Sequence, residues 1–270
     1  MQSQADPLAE RVLTSLPTSF PTVDVLGFPV ANLDMGEAVA AIRAMLERQG
    51  STREAGGAAR IVTANAEIMY HADQDPSLGM LLRTADLILP DGVGVVKAAS
   101  ILGSPLKERV AGTDLMVELA AWAEANGRSV YLLGAAKESV EGAAAALREK
   151  YPALRIAGYH DGYFKGEETE AILMEIEAAR PDFLFIGMGF PAQDRFYVQH
   201  KGRLPVGVVM GVGGSFDALS GKVRRAPLWV RRLNLEWAFR FAQNPKRLGR
   251  IWALPGFVLA VLLKKAKKRD

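Results

Sequence analysis

The chain has 270 residues, of which 49% are hydrophobic and 23% are charged, and its formal net charge is +3. This length and composition suit one large α/β domain, or one domain with an appendage. The absence of cysteine excludes a disulfide-rich fold, a thiolate nucleophile and a cysteine-ligated metal site, and it fits a reducing compartment. Residues 1–20 have no apolar stretch of the kind found in secretory signals, so we expect a loose leader there.

Strands and helices are predicted to alternate along the chain. A strand pair is expected around Gly27, followed by a helix over residues 35–47 with Asp34 as its N-cap. Six β-rich runs then occur at residues 60–63, 86–89, 129–133, 155–158, 183–187 and 206–212. Helical patterns lie between them, at residues 67–73, 76–84, 92–102, 114–126, 137–151, 167–179 and 192–200. This alternation predicts an α/β, Rossmann-like fold with a mostly parallel sheet and helices on both faces.

The character of the sequence changes after Gly221, where the β-rich runs stop. Residues 222–270 contain 14 Lys and Arg and two acidic residues, a net charge of +12, which leaves −9 on residues 1–221 because the whole chain is +3. The longest apolar run, residues 251–263, is shorter than the about 20 residues of a spanning helix and is interrupted by Pro255-Gly256. We therefore predict a leader at 1–20, an α/β core at 21–221 and a basic helical C-terminal appendage at 222–270.

The appendage has the composition of a helix that lies on a membrane. Basic charge, large aromatic residues and insufficient spanning length are typical of helices among lipid headgroups. This composition predicts peripheral attachment of residues 222–270 to an anionic membrane surface. The alternatives are a partner subunit or nucleic acid, and nucleic acid is disfavoured because the apolar run needs apolar surroundings.

Polar side chains follow the first two strands of the predicted sheet. Ligands of such sheets bind beyond the carboxyl ends of the strands. One strand ends in Thr63-Ala64-Asn65, whose hydroxyl and amide suit a sugar, although Asn65 could instead cap the next helix. The next strand delivers Asp91 into an Asp-Gly turn. A carboxylate there can act as a general base, and the alternative is again a helix cap.

Glycine-rich segments follow two later strands. Gly187 and Gly189 would let the backbone approach a ligand closely, and the helix that begins after them, near Gln193, suits a diphosphate at its N-terminus. Gly213 and Gly214 follow the last strand and permit a similar approach. Tight packing of strand against helix is the alternative for this last pair.

Other familiar site patterns are weak or missing. Asp73-Gln74-Asp75 matches the DxD pattern that binds metal in many glycosyltransferases, but it precedes Pro76 between two helical stretches, so we predict that Asp75 caps a helix and that there is no metal site. The histidines His71, His160 and His200 are scattered and lack HExxH-like spacing. The sequence contains neither GxSxG nor GxxxxGK[ST], which argues against an α/β-hydrolase and a P-loop NTPase.

Taken together, these segments resemble the WecG/TagA/CpsF glycosyltransferases, glycosyltransferase family 26. The resemblance spans roughly residues 25–263 and is carried by five segments in order, which are Thr63-Ala64-Asn65 and residues 85–94, 108–115, 187–194 and 211–217. Each segment is weak evidence alone, whereas five in order before a basic tail are specific. Two features depart from the family pattern: Asp194-Arg195 follow the glutamine where Lys or Glu is usual, and about 20 residues extend the N-terminus.

The resemblance implies an inverting, metal-independent transferase that needs no cofactor. It would move N-acetylmannosamine, its uronate or a hexose from a UDP-sugar to an undecaprenyl-diphosphate-linked saccharide, in the synthesis of surface polysaccharide or teichoic-acid linkage units. Its place would be peripheral, at the cytoplasmic face of a bacterial cell membrane. Asp91 corresponds to the proposed base of the family. The polar pocket residues correspond to Thr63, Asn65 and Gln193, and the tail arginines that hold the diphosphate correspond to Arg240, Arg247 and Arg250.

Two other classes of protein remain open at this point. A non-catalytic, membrane-recruited nucleotide-sugar binding protein would keep the glycine-rich strand ends without needing Asp91. A nucleotide-sugar hydrolase or epimerase would not need the basic tail. The sequence also leaves the donated sugar, the acceptor saccharide and the oligomeric state open, a homo-oligomer included, and we expect no nucleic-acid partner.

Overall fold

A parallel sheet forms the centre of the fold. The structure is a computed structural model that describes residues 20–50, 54–223 and 253–267, together with residues 227, 230 and 239. An antiparallel hairpin comes first, formed by β1 (Thr22–Val25) and β2 (Phe28–Ala31). Six strands then make the central sheet: β3 (Ala59–Ala64), β4 (Leu87–Pro90), β5 (Ser129–Gly134), β6 (Arg155–His160), β7 (Phe183–Gly187) and β8 (Val208–Gly211). They are parallel throughout, in the order β4-β3-β8-β7-β5-β6.

Helices connect the strands, as the alternation of the sequence predicted. Those in the described residues are α1 (Met35–Arg48), α2 (Ala66–Gln74), α3 (Pro76–Arg83), α4 (Val93–Ile101), α5 (Gly112–Ala125), α6 (Lys137–Lys150), α7 (Glu167–Ala179), α8 (Ala192–His200), α9 (Ser215–Leu219) and α10 (Ala253–Lys267). A 3₁₀ turn, Lys201–Arg203, follows α8. The α/β fold is confirmed, and the predicted ends of the elements between β3 and β8 are correct to within two residues. The prediction missed the short helix α9.

The cap predicted at the start of α1 is also present. The Asp34 carboxylate accepts a hydrogen bond of 2.8 Å from the backbone N–H of Glu37. The Glu37 carboxylate accepts one of 2.9 Å from the backbone N–H of Asp34. This reciprocal pair satisfies two of the N–H groups that a helix start leaves without partners.

Both faces of the sheet are covered by helices. Alternate strand residues face opposite sides, so Phe183 and Phe185 lie in one hydrophobic cluster while Leu184 and Ile186 lie in another. The first cluster contains residues of α1, α5, α6 and α9. On the opposite face, α7 and α8 cover β5, β7 and β8, while the hairpin, α2, α4 and α10 cover β3 and β4. This double cover explains why the strands other than the edge strand β6 are almost continuously apolar.

The apolar residues of the C-terminal helix α10 lie on two faces, one buried in the core and one exposed. Phe257 and Val261 are buried in the cluster that α10 shares with α2, α4 and the hairpin. Gly256 lies so close to Tyr70 that a Cβ atom there would be 2.5 Å from the ring. On the other face, four apolar side chains are about half exposed: Val258, Leu259, Leu262 and Leu263.

The remainder of the appendage is described only in part. The predicted diphosphate ligands Arg240, Arg247 and Arg250 lie outside the described residues. Within the parts of the chain that the structure describes, no helix has the length and apolar character needed to cross a bilayer.

Substitutions on the two faces of α10 should have different effects on stability. Phe257→Ala should lower the free energy of unfolding by about 3–5 kcal/mol, because it leaves a cavity in the core. Leu259→Ala removes a side chain that is 57% exposed, so its effect should stay within about 0.5 kcal/mol. Guanidinium unfolding of both variants measures the difference. Equally small effects would show that α10 is not part of the folded core.

Candidate functional site

The loops that follow the strands meet at one edge of the sheet. The connection after β5 leads to β6 on one side, whereas the connection after β7 leads to β8 on the other. Ligands of open parallel sheets bind at such a reversal. The two strand ends touch there through backbone alone, since a Cβ atom on Gly134 would lie 2.6 Å from the carbonyl carbon of Gly187. The carboxyl edge of the sheet is therefore the place to look for the site.

Thr63 and Asp91 meet beside the first residue of α5. Asp91 directly follows β4, and its backbone N–H donates a 2.9 Å hydrogen bond to the carbonyl of Ala64. Its carboxylate accepts a 3.3 Å hydrogen bond from the N–H of Gly112. A Cβ atom on Gly112 would lie 2.6 Å from the Thr63 hydroxyl and 3.3 Å from the Asp91 carboxylate, so both side chains face this glycine.

The helix after Asp91 begins at Val93 with Gly92 in the N-cap position, so Asp91 is not the cap residue of α4. Gly112 was missed as a site residue, although its segment was part of the family resemblance. A glycine two residues before the predicted helix 114–126 was the available signal, and the structure shows that this position has room only for a hydrogen atom next to Thr63.

Asn65 caps the helix that follows β3. Its side-chain carbonyl accepts a 2.9 Å hydrogen bond from the backbone N–H of Ile68. The cap alternative for Asn65 is therefore confirmed. Asn65 also lies beside the turn after β4, because a Cβ atom on Gly92 would be 3.8 Å from the Cβ atom of Asn65. The cap uses only the carbonyl oxygen, and the two amide N–H donors take no part in it.

Gln193 joins the two glycine segments. Its side-chain carbonyl accepts hydrogen bonds of 3.1 Å from the N–H groups of both Gly189 and Gly213. Its amide nitrogen packs against β8, where a Cβ atom on Gly211 would lie 2.2 Å away. The side chain is only 5% exposed. Gln193 therefore holds the loops after β7 and β8 together, and a direct contact with a ligand stays a prediction.

The predicted glycines are required for different reasons. Gly187 is needed for packing, since a Cβ atom there would lie 2.6 Å from the ring of Phe216. Gly189 and Gly213 have φ angles of 77° and 51°, which favour glycine, and nothing within 4 Å would meet a Cβ atom on either. Gly214 is the N-cap residue of α9. A Cβ atom on Gly189 or Gly213 would thus point into open space.

A buried ion pair lies beside Gln193. The guanidinium of Arg60 is 2.5 Å from the carboxylate of Asp194, and both side chains are 3% exposed. Burial raises the pKa of the Asp194 carboxyl, and the charge of Arg60 opposes this shift. In the sequence, Asp194 stands out only as a departure from the family pattern. The available signal for the ion pair is Arg60, an arginine near the start of an otherwise apolar strand.

The DxD sequence has a structural role. The Asp75 carboxylate accepts a 2.8 Å hydrogen bond from the N–H of Ser77 at the start of α3. Hydrogen bonds from the side chain and then the backbone of Ser77 lower the pKa of Asp75. The prediction that Asp75 caps a helix is confirmed. Asp73 accepts a hydrogen bond from the adjacent Gln74. Among the described residues, no group of three or more His, Asp or Glu side chains is placed to hold a metal ion.

Comparison with known proteins identifies the family. The sequence profile of the glycosyl transferase WecG/TagA/CpsF family matches residues 23–270. The chain belongs to this family. The match confirms the resemblance, and this member of the family is a glycosyltransferase.

Three relatives show how far the similarity extends. The chain is 38% identical over 247 residues to a protein of Staphylococcus aureus strain MW2, covering 92% of the chain and 94% of the relative. It is 41% identical over 202 residues to one from Bacillus spizizenii, covering 75% and 78%. It is 37% identical over 209 residues to one from Bacillus subtilis strain 168, covering 77% and 81%. All three are named N-acetylglucosaminyldiphosphoundecaprenol N-acetyl-beta-D-mannosaminyltransferase.

Two substitutions of Asn65 separate its cap from a contact with substrate. Asn65→Asp keeps an oxygen that can cap α2 but removes the amide donors, whereas Asn65→Ala removes both. Only Asn65→Ala should destabilise the protein, by about 1 kcal/mol, which thermal unfolding measures. If the amide binds substrate, both variants should raise the KM for sugar transfer. Wild-type kinetics in Asn65→Asp would restrict Asn65 to its structural role.

Proposed function

We propose that this glycosyltransferase moves N-acetylmannosamine from UDP to an undecaprenyl-diphosphate-linked N-acetylglucosamine, with inversion and without a metal ion. The product would serve teichoic-acid linkage units or another bacterial surface polysaccharide. The names of the relatives support this sugar and this acceptor. The observation that carries the chemistry is the meeting of Asp91 and Thr63 beside Gly112 at the carboxyl edge of the sheet.

Asp91 is proposed as the general base of one in-line displacement. Its carboxylate takes the proton of the acceptor hydroxyl while the hydroxyl oxygen attacks the anomeric carbon. The bond from that carbon to the diphosphate oxygen breaks, and UDP leaves with the electron pair, so the configuration inverts. A positioned base typically contributes about 10²–10⁴-fold to such a step. The N–H of Gly112 holds one carboxylate oxygen, and the Thr63 hydroxyl is proposed to hydrogen-bond the sugar.

The charge that develops on UDP needs positive partners. Backbone N–H groups and cations can stabilise a leaving diphosphate in place of a metal ion. Residues 1–221 have a net charge of −9, so the basic tail is the natural source of cations. We propose this role for Arg240, Arg247 and Arg250. Because Arg247 and Arg250 are three residues apart, they would share one face if this segment is helical.

A transfer assay tests the proposed function. The protein is incubated with UDP-N-acetylmannosamine and EDTA, with and without a polyprenyl-diphosphate N-acetylglucosamine acceptor. We expect a disaccharide product of inverted anomeric configuration by NMR, formed only with acceptor and unaffected by EDTA. Release of UDP without acceptor would indicate a hydrolase. Donor binding without any turnover would indicate a binding protein, and activity that requires added Mg²⁺ would contradict the metal-free mechanism.

The role of Asp91 gives a sharper test. Asp91→Asn keeps the shape of the side chain but removes the base, so kcat should fall at least about 100-fold. Asp73→Asn is the matched control, because Asp73 is an exposed residue of α2 and should keep wild-type turnover. Circular dichroism should show both variants folded. Undiminished turnover in Asp91→Asn would remove this residue from the mechanism.

We also propose that the protein binds the cytoplasmic face of the membrane peripherally, partly through α10. The half-exposed Leu259 and Leu262 lie three residues apart on one face of the helix. Lys264, Lys265 and Lys267 occupy its last turn. An apolar stripe beside lysines suits the boundary between headgroups and acyl chains, where each cation near an anionic surface contributes about 1 kcal/mol.

Removing the exposed stripe should weaken membrane binding without unfolding the protein. The variant Leu259→Ser/Leu262→Ser should sediment with phosphatidylglycerol vesicles to a smaller extent than wild type, while its unfolding transition stays near wild type. Met174→Ser is the matched control, since Met174 is 62% exposed on α7. It should bind like wild type. Wild-type sedimentation of the double variant would exclude this face of α10 as the contact with lipid.

A further inference from the structure

We propose that Arg60 and Asp194 are positioning residues for glycosyl transfer, which fix Gln193 so that it can hold the two glycine loops in place. Neither residue touches the carboxyl-edge cluster of Thr63, Asp91 and Gly112 in the described contacts. Their effect would pass through α8 to the loops that contain Gly189 and Gly213, where a Cβ atom would point into open space. The inference rests on the proposed function for its kinetic part only.

Arg60 links strand β3 to helices α3 and α8. It belongs to β3, and its guanidinium donates a 2.6 Å hydrogen bond to the carbonyl of Leu81 and another to the hydroxyl of Thr84, both at the end of α3. Its other terminal nitrogen, Nη2, donates a hydrogen bond to the Asp194 carboxylate on α8. The guanidinium also lies 5.9 Å from the ring centre of Tyr197, one turn further along α8. These contacts fix both the height and the rotation of α8 relative to the sheet.

The rotation of α8 determines where Gln193 points. Gln193 and Asp194 are consecutive residues, so their side chains leave the helix about 100° apart, which follows from 3.6 residues per turn. When Asp194 is held by Arg60, Gln193 faces Gly189 and Gly213 and accepts a hydrogen bond from each. A small rotation of α8 would disturb both hydrogen bonds together, because the same side-chain oxygen of Gln193 accepts them.

Stability alone does not account for this pair. Burying two charges costs so much solvation that apolar residues of similar volume often serve a fold equally well or better. Unlike an apolar contact, the ion pair fixes the orientation of the Arg60 and Asp194 side chains relative to each other, because hydrogen bonds weaken steeply away from their preferred angles.

The test replaces the pair by apolar residues of similar volume. Arg60→Met/Asp194→Leu should keep wild-type stability in guanidinium unfolding. Amide hydrogen exchange at Gly189 and Gly213 should nevertheless become at least about 10-fold faster, because local opening no longer requires global unfolding. In the transfer assay kcat should fall about 10-fold or more with little change in donor KM, because slight misplacement costs rate rather than binding.

Two further variants make the result specific. In a Gln193→Ala background the double change should lower kcat less than about 2-fold further, because residues that act through a shared partner are not additive. Arg128→Met, which removes the ion pair with Asp182 at the opposite edge of the sheet, should leave exchange at Gly189 and Gly213 unchanged. If the double variant does not fold, Asp194→Asn, which keeps the volume, is measured by hydrogen exchange at Gly189 and Gly213 and by kcat, since the unpaired Arg60 is expected to lower its stability.

The exchange measurement needs no substrate, so it separates this inference from the proposed function. Wild-type exchange at Gly189 and Gly213 in a stably folded variant would overturn the positioning role, whatever the enzyme transfers. Faster exchange there, with wild-type exchange in the Arg128→Met control, would support it. Full additivity with Gln193→Ala would also overturn it, because the ion pair would then act by another route.

Discussion

The parallel register of β3 and β4 is the constraint on which the site depends. Ala64 pairs with Pro90, so the residues after both strands leave the sheet at the same level. Asp91 therefore emerges beside the end of β3, where the N–H of Gly112 meets its carboxylate. Because alternate residues of a strand face opposite sides, a slip of one residue would turn Thr63 away from Gly112 and separate the hydroxyl from the carboxylate.

Local signals were sufficient for the elements and for the helix caps Asn65 and Asp75. Short apolar runs bounded by turn residues predicted the strands, because buried strands in a parallel sheet are apolar on both faces. Asp91 could be singled out because it directly follows such a run. Asn65 and Asp75 could be assigned to helix starts from their own side chains, since an N-cap bond joins residues only two or three positions apart.

Contacts between distant residues could not be predicted in this way. Arg60 and Asp194 are 134 positions apart, and no sequence pattern near either residue indicates that the other is its partner. Gly112 matters because of the space beside Thr63, which exists only once α5 lies next to β3. The apolar run of α10 shows the same limit. Its composition indicated a need for apolar surroundings, but only the fold divides it into a core face around Phe257 and an exposed face.

The division of charge along the chain connects the proposed site with the proposed membrane contact. Residues 1–221 carry a net charge of −9, and an anionic leaflet would repel them as it repels any acidic surface. Residues 222–270 carry +12 and would be attracted. Since salt screens such forces beyond about 8–10 Å, only the part of the protein nearest the lipid feels them strongly. The tail would then both attach the enzyme and orient it. In the proposed orientation the cations that attract headgroups would also be those closest to the lipid-linked acceptor and to the departing diphosphate. An acidic core by itself would disfavour both of these anions.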